Sequence, residues 1–306
     1  MKEGIFVEIS NVIIFIKQLF ATFMTMVMML VPTSDNAKGV AYKAENPDEL
    51  IMSFSAVSDT HVETNNPDSY NAFSDLLYGI KAGENHDAAV FLGDNVMNGQ
   101  LLENMFFYTA VSAVKPAKTT LAAAGNHDFG NGEGDYNSLL NNYINNNRFY
   151  LWNNIDKPYY YKVINGCYMI FLASEDLSVN DFIMSEEQFV WLESVLEEAS
   201  AAEATIFVFN HHPVYLLRGD DSSALANLLN NYDNLLYIHG HIHDYLDTNN
   251  FYVWNGVDCI NLPRSTEIVD YEPGDGIVVE VYEEQILVRG RDFISGEWID
   301  GLEYRY

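Results

Sequence analysis

Apolar and polar positions along this chain switch repeatedly between two periods. Residues 51–57 form a short apolar run that ends in Ser58-Asp59 and predicts a buried strand. From 68 to 81, Tyr70, Phe73, Leu76, Leu77 and Ile80 recur at helical spacing. Strand-type runs return at 88–92 and 119–124, with a helical stretch at 101–114 between them. Residues 135–144 read as a short helix leading into an Asn-rich loop. Asn165-Gly166, set between the runs 159–164 and 167–173, predicts a hairpin. Ser185 and Gln188 predict a capping box on a helix that reaches about Ala199. A strand at 204–209, a helix at 222–229 and a strand at 235–238 follow. After that only strand-like runs remain, at 251–254, 259–262, 277–282 and 286–289. No segment repeats at a fixed period. This alternation defines an α/β chain.

The beginning of the chain breaks the pattern. Residues 19–31 read LFATFMTMVMMLV, without a charge, and Lys2 and Lys17 precede them. The run is short for a spanning helix and suits the apolar region of an export signal. Extended back to Val12 it grows longer, but Lys17 and Gln18 interrupt it. Residues 1–41 are therefore expected to be a signal peptide or an N-terminal anchor, with a buried core helix as the alternative. Gly39-Val40-Ala41 offers a small-x-small cleavage site, and Ala37 another. Residues 42–50 are expected to be a linker and 51–306 one domain. The expected location is extracytoplasmic, secreted or membrane-anchored. Membrane contact is expected only through an uncleaved N-terminal segment.

Composition narrows the partners. Of 306 residues, 48% are hydrophobic and 19% charged, which excludes a disordered chain. Asp and Glu number 44 against 15 Lys and Arg, a net charge of −29. Such a surface repels polyanions and excludes an extended nucleic-acid surface. A small anionic substrate needs a local cation to override that field. Cys167 and Cys259 both sit in apolar runs and form no CxxC. Buried thiols and, in an exported chain, a disulfide both remain open.

The chemistry-bearing residues gather at strand ends. Successive strands end in Asp59-Thr60-His61, Gly93-Asp94-Asn95, Gly125-Asn126-His127-Asp128, Asn210-His211-His212-Pro213 and Gly240-His241-Ile242-His243. Ligands of open α/β sheets bind beyond the carboxyl ends of strands. Seven of the eight histidines lie in or beside these motifs; His86 does not. The donors are carboxylate, imidazole and amide oxygen, with no thiolate. That set suits Mn, Fe, Zn, Ni or Co. It is too large for one tetrahedral zinc and suits two ions sharing a carboxylate. Such a pair lowers the pKa of a bridging water and clamps the oxygens of a displacement at phosphorus.

The ordered motifs D-x-H, G-D, G-N-H-D, H-H-P and G-H-x-H resemble those of the calcineurin-like metallophosphoesterase family over about residues 51–262. The resemblance implies a four-layer α/β/β/α sandwich with a dinuclear metal site at the sheet rim. It implies one divalent or trivalent transition-metal ion on Asp59, His61 and His243. A second would sit on Asn126, His211 and His241, with Asp94 as the bridge. His127 would be the catalytic residue beyond the ligands, giving a proton to the leaving oxygen or stabilising phosphoryl charge, and Asp128 would orient it. His212 would have a structural or substrate-side role. His239 is expected at the rim or in the core, and His86 on an exposed loop. Purple acid phosphatases carry a tyrosine where this chain has Met97, and lack the counterpart of His61. Met97 also stands where the protein-phosphatase branch usually carries a second Asp. Both departures point toward the small phosphoesterases and phosphodiesterases.

The implied activity is hydrolysis of a small phosphate mono- or diester by attack of a metal-bridging hydroxide. The alternatives are a non-catalytic scaffold of the same fold and a nuclease of the same superfamily. Arg218 and Arg264, in loops beside the motifs, are candidates for holding a phosphate oxygen, although Arg218 also has Asp220 or Asp221 nearby as a partner. Tyr215 and Tyr245 are candidates for stacking on a base. Substrate, metal identity and oligomeric state are not legible in these residues.

Overall fold

The computed structural model describes residues 39–84, 86–219, 221–266 and 274–306. The segment expected to be a signal peptide or anchor lies almost wholly outside the described residues. Among the described residues, no helix is long and apolar enough to cross a membrane.

Strands β1 (Met52–Val57), β2 (Ala88–Leu92) and β3 (Thr119–Ala123) run parallel. The last three strands, β10 (Asp275–Val281), β11 (Ile286–Asp292) and β12 (Glu297–Arg305), complete a six-stranded sheet in the order β12-β11-β10-β1-β2-β3. The intervening strands are β4 (Tyr160–Ile164), β5 (Cys167–Phe171), β6 (Ile206–Phe209), β7 (Leu235–His239), β8 (Phe251–Trp254) and β9 (Val257–Asn261). They form a second sheet in the order β4-β5-β6-β7-β9-β8, parallel from β5 to β9.

Strand side chains alternate between faces, so each sheet serves two cores. Phe54, Val90 and Leu92 of the first sheet meet Met169, Phe171, Phe209 and Ile238 of the second in one central core. Val57, Ala89 and Phe91 face outward onto helices α1 (Pro67–Lys81) and α2 (Leu101–Val114), through Phe73, Leu77, Phe107 and Val111. Ile170, Val208 and Tyr237 face the other way, onto α4 (Glu186–Ala201) and α5 (Asp221–Leu229), through Leu192, Leu196 and Leu225. Three cores separate four layers, helix, sheet, sheet and helix, as the resemblance implied.

Several local expectations change. Helix α3 (Tyr136–Tyr150) continues through the Asn-rich stretch expected as loop. Tyr143, Ile144, Asn147 and Tyr150 make a buried stripe, and Asn147 Nδ2 donates to the Tyr143 carbonyl at 3.0 Å, so packing overrides the low helix propensity of Asn. Only half of the expected capping box forms. Ser185 Oγ accepts the Gln188 N–H at 3.2 Å, but the Gln188 amide turns to the Ala173 backbone, and Glu175 takes the Ser185 N–H. Strand β12 has no counterpart among the expected elements. It is largely exposed, with Leu302 buried, and so shows no apolar run. Asn165 and Gly166 do turn the β4–β5 hairpin, both with left-handed φ, +50° and +84°.

Residues 42–50 are not a free linker. Tyr42 is buried, its hydroxyl lies 3.1 Å from Ser55 Oγ, and the Arg291 guanidinium covers its ring at 3.9 Å. His86 is buried rather than exposed, with Nδ1 2.9 Å from Ser55 Oγ. Cys167 faces the central core and Cys259 the helix side of the same sheet, so they cannot pair, and both are free. Burial pushes the two thiols up to about 11 and about 12.

Candidate metal centre

The carboxyl ends of five parallel strands meet on one rim, where β1, β2 and β3 deliver residues from the first sheet and β6 and β7 from the second. The loops zip together through their backbones. The Asp59 N–H donates to the Gly93 carbonyl at 3.1 Å, His61 N–H to Asp94 O at 2.9 Å, and Gly240 N–H to His211 O at 3.0 Å. Asp59, His61, Asp94, His241 and His243 all hold left-handed backbone, with φ of +55°, +40°, +48°, +74° and +59°. That conformation costs about 1–2 kcal/mol per L-residue, so the rim carries strain that the surrounding fold sustains.

Two glycines let the backbone approach these side chains. A Cβ on Gly125 would lie 2.1 Å from Asp94 Oδ1, and one on Gly240 would lie 1.9 Å from Ser58 Oγ and 2.5 Å from Asp59 Oδ2.

The donors converge in two groups. In one, ligand atoms of Asp59, His61, Asp94 and His243 all lie within 4.8 Å of one another; in the other, those of Asp94, His211 and His241 do. Asp94 belongs to both. His243 Nε2 is 2.9 Å from Asp59 Oδ1 and 3.3 Å from His61 Nε2. His211 Nε2 is 3.2 Å from both Asp94 Oδ2 and His241 Nδ1. The far side of each group is already engaged. Ser58 Oγ and the His241 N–H donate to Asp59 Oδ2, and the His127 N–H donates to Asp94 Oδ1 at 2.8 Å. His211 Nδ1 donates to the Leu92 carbonyl at 3.0 Å, which presents Nε2 to the centre.

These residues fit a cation. Asn126 Nδ2 donates to Asn131 Oδ1 at 3.0 Å, while its own buried Oδ1 has no hydrogen-bond partner. Burial would push the carboxyls of Asp59 and Asp94 up, but the charge of His211 and hydrogen bonds from the surrounding imidazoles hold both below the usual range. The reverse holds for His211. Burial opposes its charge, yet Asp94 and Asp59 push it up to about 9. Two buried carboxylates therefore demand positive charge, which divalent ions would supply.

The remaining expected site residues divide. His127 reaches the centre, with its side chain 16% exposed and Nε2 4.0 Å from Asp94 Oδ2. Its Nδ1 lies 2.5 Å from the Met97 carbonyl, so Met97 and not Asp128 orients the ring. Asp128 instead accepts the backbone N–H groups of Gly125, Asn95 and Val96, tying the second and third loops together. Burial and the Asp94 charge push its carboxyl up to about 7.

His212, 1% exposed, cannot touch a substrate. It is wedged between the Phe182 and His241 rings and is held neutral by burial and by the charge of neighbouring His211. His239 is a core residue, donating from Nδ1 to the Gly240 carbonyl and accepting the Tyr252 hydroxyl at Nε2. Arg218 turns away into a pair with Asp181 at 2.7 Å, supported by Asp176 at 3.4 Å, rather than toward Asp221. Arg264 stays, its charge opposing protonation of both His61 and His243. Sequence reasoning missed Ser58 and Asn131. A hydroxyl at the end of an apolar strand signals the first; nothing local signals the second.

A two-sheet sandwich with this Asp, His and Asn rim is the architecture of a metal-binding phosphoesterase. The profile of calcineurin-like phosphoesterases matches residues 52–245, and the chain belongs to that family. No curated protein matches it. Among solved structures it is similar in fold to a dimetal phosphatase from Danio rerio, at 17% identity and a TM-score of 0.60, covering 84% of this chain and 98% of that one. A serine/threonine phosphatase from Saccharomyces cerevisiae aligns at 13% identity and a TM-score of 0.38, covering 87% and 83%. Zinc-complexed Vps29 from Entamoeba histolytica aligns at 11% and 0.34, covering 83% and 98%.

Proposed function

We propose that this chain hydrolyses small phosphate mono- or diesters with two transition-metal ions. One would be held by Asp59, His61 and His243, the other by Asn126, His211 and His241, with Asp94 between them. The observation that carries this reading is the membership of Asp94 in both donor groups. Bound there, two ions supply a lowered pKa for water and positive charge for the phosphoryl oxygens.

The chain's own residues do the rest. Protonated His127 keeps its Nδ1–H on the Met97 carbonyl, which leaves the Nε2–H for the leaving oxygen. After transfer the same carbonyl holds the neutral Nδ1–H tautomer in place. Arg264, close enough to His61 and His243 for its charge to act on both, would meet a non-reacting phosphate oxygen. The lysine-preceded apolar run at 19–31 supports a site of action outside the cytoplasm.

The test is a panel of phosphomonoesters, phosphodiesters and nucleotides on chelated protein with Mn, Zn, Fe, Ni or Co added back. Metal-dependent turnover that disappears in Asp94→Asn, together with metal uptake, is expected. No turnover of any ester with any metal refutes the reading and favours the scaffold.

A further inference from the structure

A carboxamide offers a cation its oxygen on one side and repels it with N–H bonds on the other. The sense in which the Asn126 amide is turned therefore decides whether it can be a ligand. Asn126 is 5% exposed and held beside the shared carboxylate by both of its chain neighbours. Gly125 packs directly on Asp94, and the His127 N–H donates to Asp94 Oδ1 at 2.8 Å. The amide keeps its buried Oδ1 free of hydrogen bonds and spends Nδ2 on Asn131 Oδ1 at 3.0 Å.

Asn131 lies beyond the G-N-H-D motif, yet it is joined to Asn126 twice. Its own N–H also donates to the Asn126 carbonyl, at 2.8 Å. It is exposed and has a left-handed φ of +51°, between Gly130 and Gly132 at +80° and +85°. Asparagine is one of the few L-residues that take this conformation cheaply. The loop thus sets an acceptor where it draws the Asn126 N–H bonds away from the centre, as the Leu92 carbonyl does for Nδ1 of His211.

The two donor groups do not depend on this amide equally. The first holds two carboxylates, Asp59 and Asp94, whereas the second has Asp94 alone with His211 and His241. With one carboxylate fewer, the second position relies more on a correctly turned amide oxygen. We propose that Asn131 is a positioning residue: by fixing the sense of the Asn126 amide, it sets the metal affinity of the second position and leaves the first alone. The proposal rests on the two-metal reading, in which Asn126 serves that position.

Zinc titrated into the chelated full chain against a competing chelating dye, with bound metal counted by elemental mass spectrometry, tests this. Asn131→Gly removes the acceptor but keeps the left-handed backbone cheap. It should weaken one of two ions about 10–100-fold and leave the other near the parent value. Asn131→Asp, an acceptor on both oxygens, should hold the amide in the same sense and retain both ions. In an Asn126→Ala background, which itself weakens the same ion, neither change at 131 should have a further effect on that ion, because its route of action is gone. Two ions at parent affinity in Asn131→Gly overturn the proposal. So does an equal loss of both ions, a loss in Asn131→Asp as large as in Asn131→Gly, or a full further effect in the Asn126→Ala background. A parent chain that takes up fewer than two ions instead removes the two-metal reading beneath it.

Discussion

Gly125→Ala changes one methyl group and should silence the site. Gly125 is not in the left-handed region, so alanine can adopt its backbone without strain. The new Cβ, however, would lie 2.1 Å from Asp94 Oδ1 and 2.4 Å from the Asp94 nitrogen. Carbon and oxygen pack comfortably at about 3.5 Å, so the carboxylate must retreat by about 1 Å or more. That carboxylate is shared by both donor groups and also holds the His127 backbone N–H. One displacement therefore disturbs both donor groups and the backbone of His127 together. A misplacement of about 1 Å near the chemistry costs on the order of 10²-fold in rate, and overpacking costs about 1–3 kcal/mol. The variant should fold, with a modestly lower Tm, bind less metal by elemental mass spectrometry, and lose 10²-fold or more in kcat/KM. A variant with a full complement of metal and a rate within a few-fold of the parent would refute the close-approach argument.

His127→Ala should keep its metal while kcat falls about 10²–10⁴-fold, with a smaller loss for nitrophenyl esters, whose leaving groups need no proton; loss of metal would make His127 a ligand. His86 is pushed down to about 4 by burial, so the unfolded chain binds the extra proton between pH 6.5 and 4. Stability should fall as pH drops through that window, by up to about 3 kcal/mol, and denaturant titrations of His86→Gln should lack that share of the slope. Chelation should lower the Tm, since donors from both sheets lose their common partner; a metal at 100 times its Kd stabilises by about 2.7 kcal/mol, and an unchanged Tm would contradict the fit of the site. Mass spectrometry of the exported chain should find a start near residue 42, whereas an intact Met1 on soluble cytoplasmic protein would contradict export.

The strands and the rim were legible because both rest on local signals. A buried parallel strand shows as an apolar run, and polar donors at its carboxyl end stand out against it. Asp59, His61, Asp94, His211, His241 and His243 each follow such a run, and the fold brings them together. What the sequence hid depends on partners far along the chain. His86 is buried by Tyr42 and Ser55, and Gln188 is drawn from its cap by Ala173. Arg218 prefers Asp181, which lies on a different loop, to the neighbouring Asp221. Asp128 follows His127 directly, yet its carboxylate serves backbone N–H groups while a methionine carbonyl holds the ring. For Gln188, Arg218 and His127, adjacency in sequence suggested the wrong partner.

The route of the chain through its two sheets also bears on how the protein is made. Strand β1 pairs with β10, and about 220 residues separate Val57 from Asp275. At about 5–20 residues per second, a ribosome needs roughly 10–40 s to cover that stretch. All of the second sheet, β4 to β9, emerges within this interval as one contiguous segment. Meanwhile one edge of β1 has no neighbour, a bare template for pairing with another nascent chain. Every donor of the metal centre, from Asp59 to His243, has been translated before the strand that closes the first sheet exists. A product truncated after Leu262 would carry the whole set of metal-binding side chains on a half-built and aggregation-prone frame. Translation thus lays down the chemistry first and the closure of its scaffold last.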